Sequence, residues 1–486
     1  MEPPRRTISG RQLAMLLGDW RHRGQERFAH RALAESLRLL ILDGRLPLHM
    51  WLPGERELAA ALGVSRTTTS AAYGSLRDGG FLAGRSRSAP WTRLPADRGA
   101  AAHAGGYSAP AGDMIDAVHA SLPAPAILHH AVAAAMEELP RHLPGTGYEL
   151  VGLAELREAV AESYTKRGLA TTPDQIMVTG GAQHGLSLFL RMLTGPGDRV
   201  LVEHPTYPNV LNLVAQTGCR PVPVPLTDDG WDVDMVAAAT RQSAPRVAYL
   251  MPDFHNPTGL LMDVAARQAI AAAAAATKTI LVVDESLVEL SLGATTVPEP
   301  IAVYDQQGQI VCLGSTSKSY WGGLRIGWVR AHRELVDRLA SFRPAIDLGS
   351  PILEQLVAAR LVRDGVPALR ERRAELTRRR DALRSALHGA LPTWGFGNPP
   401  GGLSLWCELD EPVSSGLAIS AERHGVRISS GARFGVGGAF ERFVRIPYTL
   451  PEATLEEVAG RLAAAYAAVA GVADTRERAV TGITVG

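Results

Sequence analysis

Apolar residues recur at helical spacing over residues 28–43 and line one face of a predicted helix that Gly44 ends. A second, short helix is predicted over residues 55–62, directly after Pro53-Gly54. The apolar positions of the first helix are Leu33, Leu37, Leu40 and Ile41.

The turn Gly63-Val64-Ser65 follows the short helix, and Ser65 is a favourable N-cap for a third helix that ends at Gly79-Gly80. Two short helices around a three-residue turn that contains glycine predict a helix-turn-helix. The stretch from Phe81 to Thr92 has apolar ends around a tip rich in arginine and serine, which predicts a β-wing.

From residue 113 to residue 472, short apolar runs alternate with helical stretches. This rhythm is typical of an α/β fold with a mostly parallel sheet between helices. The clearest predicted strands are 176–179, 199–202, 247–250, 280–283 and 310–313, and the clearest predicted helices are 182–193 and 264–276.

The pattern therefore predicts a small N-terminal winged helix-turn-helix domain over residues 25–95 and a large α/β domain over residues 113–472. The segment 96–112 is rich in Ala, Gly and Pro and is predicted to be a flexible linker. Residues 473–486 are predicted to be an unstructured tail.

Composition excludes several classes of protein. With 46% hydrophobic and 20% charged residues among 486, a disordered chain is excluded. No run of 18 apolar residues and no signal-like leader is present, so we expect a cytoplasmic protein without a membrane span. The three cysteines are widely separated, which argues against a disulfide framework, and no metal site is predicted.

Charge is distributed unevenly between the two predicted domains. Residues 1–98 contain 16 Arg, no Lys and 9 acidic residues, a net charge of +7, whereas the remainder carries −6. A basic end on an acidic body is typical of a chain whose one end meets a polyanion. A solvated helical face is the alternative explanation.

Lysine is scarce, because 47 of the 50 basic residues are arginine. The lysines are Lys166, Lys278 and Lys318. Arginine cannot supply the neutral amine that a Schiff base requires, so a lysine retained in this chain is a candidate for chemistry. Lys318 follows a predicted buried strand, whereas Lys166 lies at a predicted helix end and Lys278 in a predicted loop.

Unusual residues follow five predicted strands, at the edge where parallel sheets bind ligands. Together they suit pyridoxal phosphate, which needs an amine, an anion at its ring nitrogen, a donor at its ring oxygen, a stacking ring and a phosphate cradle. In that order, the candidates are Lys318; Asp284; Asn256; Tyr207; and the cradle of Gly181, Ala182, Gln183, Ser315, Ser317 and Arg325.

Six motifs occur in order along the large domain: TGGAQ, HPTYP, NPTG, VDES, STSK and GLRIG. Through them the chain resembles the fold-type I, class I/II aminotransferases, in which Lys318 would be the Schiff-base lysine. The resemblance further implies that Tyr148 reaches the cofactor phosphate of the neighbouring subunit of a homodimer. It also implies that Arg445, in VRIPY, binds the α-carboxylate of an amino acid.

The N-terminal string LPGERELAAALGVSRTTTSAAYGSL resembles the winged helix-turn-helix of GntR regulators. The two modules in this order resemble MocR-type regulators. The resemblance implies a transcription regulator that binds operator DNA and senses pyridoxal phosphate, an amino acid or an amine. The predicted DNA-binding residues are Arg56, Ser65, Arg66, Thr67, Thr68 and, in the wing, Arg85 and Arg87.

Two departures from these families affect the prediction of function. Aminotransferases often have a tyrosine two or three residues after the aspartate, where this chain has Ser286 and Leu287. We therefore expect cofactor binding with little or no sustained transamination. The wing has Arg87-Ser88-Ala89 in place of Gly-Ser-Gly, which favours arginine insertion into a minor groove. The alternatives are a working aminotransferase with an appended DNA-binding domain and an N-terminal protein-interaction module.

Overall fold

The computed structural model describes residues 6–18, 20, 29–42, 45–84, 89–93 and 113–480, the last ten by their backbone alone. The predicted linker over 96–112 and the wing tip with Arg85 and Arg87 lie outside the described residues.

The N-terminal module contains the predicted helix-turn-helix. Helix α3 ends at Gly63, which adopts a left-handed conformation (φ +63°), and the Ser65 hydroxyl caps α4 by accepting a hydrogen bond from the Thr68 amide at 3.1 Å. The helices are α1 (Gly10–Leu17), α2 (Ala29–Leu42), α3 (Glu55–Leu62) and α4 (Arg66–Asp78). The strands are β1 (Arg6–Thr7), β2 (Met50–Trp51), β3 (Leu82–Ala83) and β4 (Trp91–Thr92), in the sheet order β1-β2-β4-β3.

The large sheet of the α/β domain has the order β6-β13-β12-β11-β10-β7-β8-β9. Strand β13 pairs antiparallel with both β6 and β12, and β9 pairs antiparallel with β8, whereas the other neighbours run parallel. The strands are β6 (Ile176–Thr179), β7 (Arg199–His204), β8 (Arg220–Thr227), β9 (Gly230–Trp231), β10 (Val247–Leu250), β11 (Ile280–Asp284), β12 (Ile310–Ser315) and β13 (Gly327–Arg330).

The central strands of this sheet are buried on both sides, because helices cover both of its faces. This arrangement agrees with the alternating pattern of the sequence. The helices between residues 113 and 390 are α5 (Ile127–Glu138), α6 (Ala154–Lys166), α7 (Ala182–Leu193), α8 (Pro208–Gln216), α9 (Val233–Ser243), α10 (Val264–Thr277), α11 (Thr316–Ser319), α12 (Arg333–Phe342), α13 (Ile352–Asp364) and α14 (Val366–Ala390).

A second, five-stranded sheet forms a small C-terminal part, which includes one strand from the start of the large domain. Its order is β14-β15-β17-β16-β5, with β14, β15, β17 and β16 antiparallel and β5 parallel to β16. Its elements are β5 (Ile115–Ala117), β14 (Gly395–Phe396), β15 (Ser404–Glu408), α15 (Ser414–Arg423), β16 (Val426–Ser430), β17 (Phe443–Pro447) and α16 (Glu452–Val480).

The structure differs from the predicted organisation at both ends. Strand β1 and helix α1 precede residue 25, because β1 pairs with β2 and α1 packs beside α3. Helix α16 continues to Val480, eight residues beyond the predicted end of the domain at 472. Of the helices that the structure describes, none combines the length and apolar character needed to span a membrane.

Candidate functional site

The predicted site residues of the large domain follow strands β6, β7, β10, β11 and β12, which are neighbours or near neighbours in one sheet. Asp284 ends β11 and Ser315 ends β12, while Gly181, Tyr207 and Asn256 lie in the loops after β6, β7 and β10. Because parallel strands present their carboxyl ends at one edge, these side chains converge on one cleft.

Lys318 lies in the short helix α11 directly after β12 and is partly buried. Its Nζ donates a hydrogen bond of 2.8 Å to the carbonyl of Ala120. Burial, with smaller contributions from Arg445 and Arg325, lowers the pKa of Lys318 to about 8, while Asp284 opposes the shift. A lowered pKa increases the fraction of neutral amine, the nucleophilic form.

Asp284 is buried at the end of β11 and has two internal hydrogen-bond donors. Its Oδ1 accepts from the Ser286 amide at 2.9 Å, and its Oδ2 accepts from the Tyr249 hydroxyl at 2.8 Å. Burial raises the pKa of Asp284, and both hydrogen bonds partly offset that effect. Tyr249 could not be predicted from the sequence, since a tyrosine inside a buried strand has no distinguishing pattern.

The predicted phosphate cradle lies at the N-terminus of α7. Gly181 has φ +104°, and a Cβ at this position would come within 3.1 Å of the Arg325 guanidinium. Arg325, itself left-handed at φ +53°, donates to the Gly180 carbonyl at 2.8 Å and to Ser317 Oγ at 3.5 Å. A helix N-terminus with an adjacent guanidinium is favourable for an anion. Ala182 is the first residue of α7.

Hydrogen bonds connect the cradle to the predicted stacking ring. The Tyr207 hydroxyl donates to Gln183 Oε1 at 3.3 Å, and Asn209 Nδ2 donates to the same oxygen at 3.0 Å. His184, which the sequence analysis missed, accepts from the Gly180 amide through Nδ1 at 3.0 Å. Its Nε2 lies 2.8 Å from Asp347, and burial lowers the pKa of this imidazole. These contacts hold the Gly180–Gln183 loop on the sheet edge.

Arg445 approaches the cleft from β17 of the small sheet and is buried. Its Nη1 donates to Asn256 Oδ1 at 3.2 Å, its Nη2 donates to the Val118 carbonyl, and its Cζ lies 5.2 Å from the Phe434 ring centroid. Since the Asn256 amide oxygen faces Arg445, its NH₂ group can donate elsewhere. The structure thus joins residues from the two sheets in one site.

Segment 118–120 supplies two backbone contacts that the sequence does not predict. The carbonyls of Val118 and Ala120 accept hydrogen bonds from Arg445 and Lys318. A backbone carbonyl is common to every residue, so no side-chain pattern could have identified these positions.

Tyr148, Lys166 and Lys278 are exposed, and among the residues that the structure describes no hydrogen bond or ion pair joins them to Lys318, Asp284 or Arg445. Tyr148 is 67% exposed on the surface, so a role toward a neighbouring subunit is not visible within one chain. Lys166 is an exposed residue of α6 that pairs with Glu162 at 2.8 Å, and Lys278 is exposed after α10. Within the described part of the chain, no cluster of three His, Cys, Asp or Glu side chains is arranged for a metal ion.

The predicted DNA-contacting residues that the structure describes lie on α3 and at the start of α4, the two helices of the helix-turn-helix. Arg66 and Thr67 are exposed in the first turn of α4, and Arg56 is exposed on α3. The Ser65 hydroxyl lies 2.7 Å from Thr67 Oγ1 and 2.8 Å from Thr68 Oγ1, so these three hydroxyls form one polar group.

The large-domain side chains fit pyridoxal phosphate by their chemistry. An amine with a lowered pKa, a buried carboxylate, an amide donor, an aromatic ring and an anion cradle lie around one cleft. The glycine at position 181 leaves space that a Cβ would take beside Arg325.

Comparison with known proteins agrees with both modules. Residues 125–462 match the aminotransferase class I and II family, and residues 29–89 match the bacterial regulatory proteins of the gntR family. The chain is 27% identical to YisV of Bacillus subtilis, an uncharacterized HTH-type transcriptional regulator, over 82% of this chain and 88% of YisV. It is 30% identical to MocR of Rhizobium meliloti, a probable rhizopine catabolism regulatory protein, over 63% of this chain and 66% of MocR.

A solved structure resembles the large domain. The α-aminoadipate aminotransferase LysN of Thermus thermophilus, complexed with N-(5'-phosphopyridoxyl)-L-leucine, superposes with a TM-score of 0.67 at 28% identity, covering 74% of this chain and 94% of LysN. The class I/II family is pyridoxal-phosphate-dependent, in agreement with the residues of the cleft. The chain therefore belongs to the class I and II aminotransferase family, with a GntR-type DNA-binding domain at its N-terminus and MocR-type regulators among its homologues.

Proposed function

We propose that this chain is a cytoplasmic transcription regulator that binds operator DNA and senses pyridoxal phosphate, an amino compound or both. The main support is the presence in one chain of an exposed recognition-helix turn at Arg66 and Thr67 and a cleft that combines Lys318, Asp284 and Arg445. The recognition-helix turn suits the major groove of DNA, where base edges and phosphates are both accessible. The cleft suits an aldehyde cofactor together with a ligand carboxylate.

Pyridoxal phosphate supplies an aldehyde carbon and an electron-withdrawing ring when it is bound. We assign Lys318 to covalent attachment, Asp284 to the ring nitrogen, Asn256 to the ring oxygen and Tyr207 to stacking. The phosphate would lie among Gly181, Ala182, Gln183, Ser315, Ser317 and Arg325. Asp284 can hold its charge in a buried place because Tyr249 and Ser286 both donate to it.

Arg445 is the residue of the site best suited to a ligand carboxylate. Its guanidinium is buried and faces Asn256, so a carboxylate bound there would lie next to the proposed cofactor. Guanidinium groups pair with carboxylates through two parallel hydrogen bonds, which fixes the orientation of the ligand. The proposed effector is therefore an amino acid, whose amine would face the cofactor.

In the DNA-binding module we assign Arg66, Thr67 and Thr68 to the major groove and Arg56 to phosphate. Ser65 both caps α4 and lies at the same protein surface. Arg85 and Arg87 are proposed to contact the minor groove from the wing.

We also propose a homodimer, with Tyr148 at the cofactor phosphate of the partner. Two apolar side chains are exposed near Tyr148: Leu348 is 48% exposed and Ile346 is 43% exposed. Gly349 lies against the backbone of Glu149, so these side chains belong to one region of the surface. Exposed apolar patches of this kind mark interaction sites.

A working aminotransferase is the second candidate function, because the cleft has the lysine, the carboxylate and the arginine that transamination uses. Against it, Leu287 is buried and apolar and Ser286 donates its amide to Asp284. Neither supplies a phenol to the cofactor ring oxygen. The Tyr249 hydroxyl is directed to Asp284 instead.

The deciding experiment measures DNA affinity and turnover on the same preparation. A duplex selected by the full chain from a random library is titrated with apo protein, with pyridoxal phosphate, and with the cofactor plus each of the common amino acids. An affinity that changes with ligand, together with negligible turnover of a 2-oxo acid acceptor, supports the regulator. Constant affinity with sustained turnover supports the enzyme.

A further inference from the structure

The small C-terminal part contains a loop that contacts the cleft directly. We call residues 431–441 the relay loop; it connects β16 to β17. The Phe434 ring lies 5.2 Å from the Arg445 guanidinium, and the Phe434 carbonyl accepts from the Thr206 amide at 2.9 Å. The Val436 amide donates to His204 Nε2 at 2.9 Å. The relay loop therefore contacts both the carboxylate-binding arginine and the loop that precedes Tyr207.

The other side of the relay loop contacts the DNA-binding module. A Cβ at Gly438 would lie 3.6 Å from the Leu16 carbonyl oxygen, so the backbone of the loop packs against the last turn of α1. Glu441 accepts from the Ser415 amide at 2.9 Å, and Ser415 Oγ accepts from Arg45 of the DNA-binding module at 3.4 Å.

A second contact joins the module to the same part of the protein. Arg38 of α2 lies 3.7 Å from Glu422 at the end of α15. Both sides of this ion pair are partly buried, with 22% and 32% of the side chains exposed. Helix α15 and the relay loop thus form one surface on which the module rests.

Helix α1 connects this surface to the helix-turn-helix. Its first residue, Gly10, donates its amide to Glu57 Oε1 at 2.7 Å, and a Cβ at Gly10 would lie 3.1 Å from the Glu57 carbonyl oxygen. Glu57 is on α3 next to Arg56, and Glu55 of the same helix lies 3.5 Å from Arg66. One end of α1 therefore packs on α3, and its other end packs on the relay loop.

We infer that α1 transmits the state of the cofactor cleft to the DNA-reading helices, through the relay loop, within one chain. This inference rests on the proposed sensor function and specifies its route. A ligand that repositions Arg445 must also affect Phe434, and close-packed contacts shift between discrete arrangements instead of deforming gradually. Helix α1 lies outside the gntR match, which begins at residue 29.

The test uses the full chain and N-(5'-phosphopyridoxyl)-L-alanine, a stable conjugate of cofactor and amino acid, as the probe. Affinity for the selected duplex is measured with and without the conjugate in wild type, Gly10→Val and the control Gly460→Val. The valine at position 10 would separate α1 from α3, whereas Gly460 has open space around its Cβ. Binding of the conjugate itself is measured by calorimetry.

We expect the conjugate to change the DNA affinity of wild type and Gly460→Val by about 5- to 150-fold. In Gly10→Val this response should be largely lost while the affinity for the conjugate is retained. Arg38→Glu should reduce the response as well, and the double variant Arg38→Glu/Glu422→Arg should restore it. Amide exchange of residues 10–17 should respond to the conjugate in wild type.

The outcomes separate the route from the sensor function. If wild type responds and both Gly10→Val and Arg38→Glu respond equally, the route through α1 is overturned and the sensor function stands. If the DNA affinity of wild type ignores the conjugate, the sensor function itself is overturned. If the amides of α1 do not respond while DNA affinity does, the signal travels by another path.

Discussion

The Tyr249 hydroxyl donates a 2.8 Å hydrogen bond to Oδ2 of Asp284, across neighbouring parallel strands β10 and β11. The bond favours the ionised carboxylate and lowers the pKa of Asp284 against the effect of burial. Tyr249 is therefore a supporting residue for the group that we assign to the cofactor ring nitrogen.

Tyr249→Phe should weaken pyridoxal phosphate binding, because Asp284 would lose a donor and its pKa would rise further. A hydrogen bond to a charged group contributes about 1.5–3 kcal/mol, so the Kd should increase about 10- to 150-fold. Absorbance titration of apo protein measures the effect. Tyr73→Phe, which removes a buried hydroxyl bonded to the Pro53 carbonyl in the other module, is the control. Equal cofactor affinity in both variants would contradict the role of Tyr249.

Asp284→Asn tests the charge itself at nearly constant volume. It replaces the carboxylate that we assign to the cofactor ring nitrogen by a neutral amide. The free energy of cofactor binding should therefore become less favourable by about 1.5–3 kcal/mol. Tyr249→Phe should also reduce cofactor affinity less when it is combined with Asp284→Asn than when it is made alone. A double-mutant cycle measures this difference. Strictly additive losses in the cycle would mean that the two residues act independently.

Lys318→Ala should abolish covalent attachment of pyridoxal phosphate, measured by borohydride reduction followed by peptide mass spectrometry. Lys166→Ala and Lys278→Ala are the controls, since both lysines are exposed, and Lys166 is paired with Glu162. A labelled peptide that contains either of these two lysines in wild type would contradict the assignment.

Attachment should depend on pH because only the neutral amine is nucleophilic. The pKa of Lys318 is lowered to about 8, so below this value the rate of attachment should increase about tenfold per pH unit. Above about 8 the rate should level off, instead of increasing further toward the usual pKa of 10.5. Stopped-flow absorbance with apo protein measures the profile. A rate that continues to increase through pH 10 would show an unshifted lysine.

Arg66→Ala and Arg56→Ala should affect DNA binding differently. Arg66 lies in the first turn of α4, so its replacement should weaken binding to the selected duplex by about 1–3 kcal/mol and relax specificity at one base pair. Arg56 on α3 should weaken binding to all sequences alike and reduce the salt dependence. Titrations of selected and random duplexes at several salt concentrations distinguish the two. Equal losses on both duplexes for Arg66→Ala would assign it to phosphate.

The helix-turn-helix and the central strands could be predicted because their signals are local. Helix α3 has the predicted bounds, Glu55–Leu62, since glycine turns flank it, and Ser65 caps α4 as its residue type suggests. Strands β6 and β10 also have the predicted bounds because they are uninterrupted apolar runs.

What the sequence did not indicate depends on tertiary contacts. Strand β1 has only two residues, and its pairing with β2 joins positions more than forty residues apart. The antiparallel small sheet combines β5 with strands about three hundred residues later. Tyr249 could be assigned to Asp284 only once β10 and β11 were known to be neighbours.

The contacts of segment 118–120 have a consequence for how ligands are selected. Arg445 already donates to the Val118 carbonyl and to Asn256, so the carboxylate that we propose it binds would have to replace acceptors inside the protein. The binding free energy is then the difference between the hydrogen bonds of Arg445 to the ligand and those to its internal acceptors. A ligand whose group is a weak acceptor therefore gains no affinity from Arg445. A planar carboxylate, which accepts two parallel bonds from one guanidinium, gains most from this exchange. In the proposed role of Arg445, the cleft would therefore select ligands by competition with its own hydrogen-bond acceptors, and amines without a carboxylate should leave segment 118–120 in place.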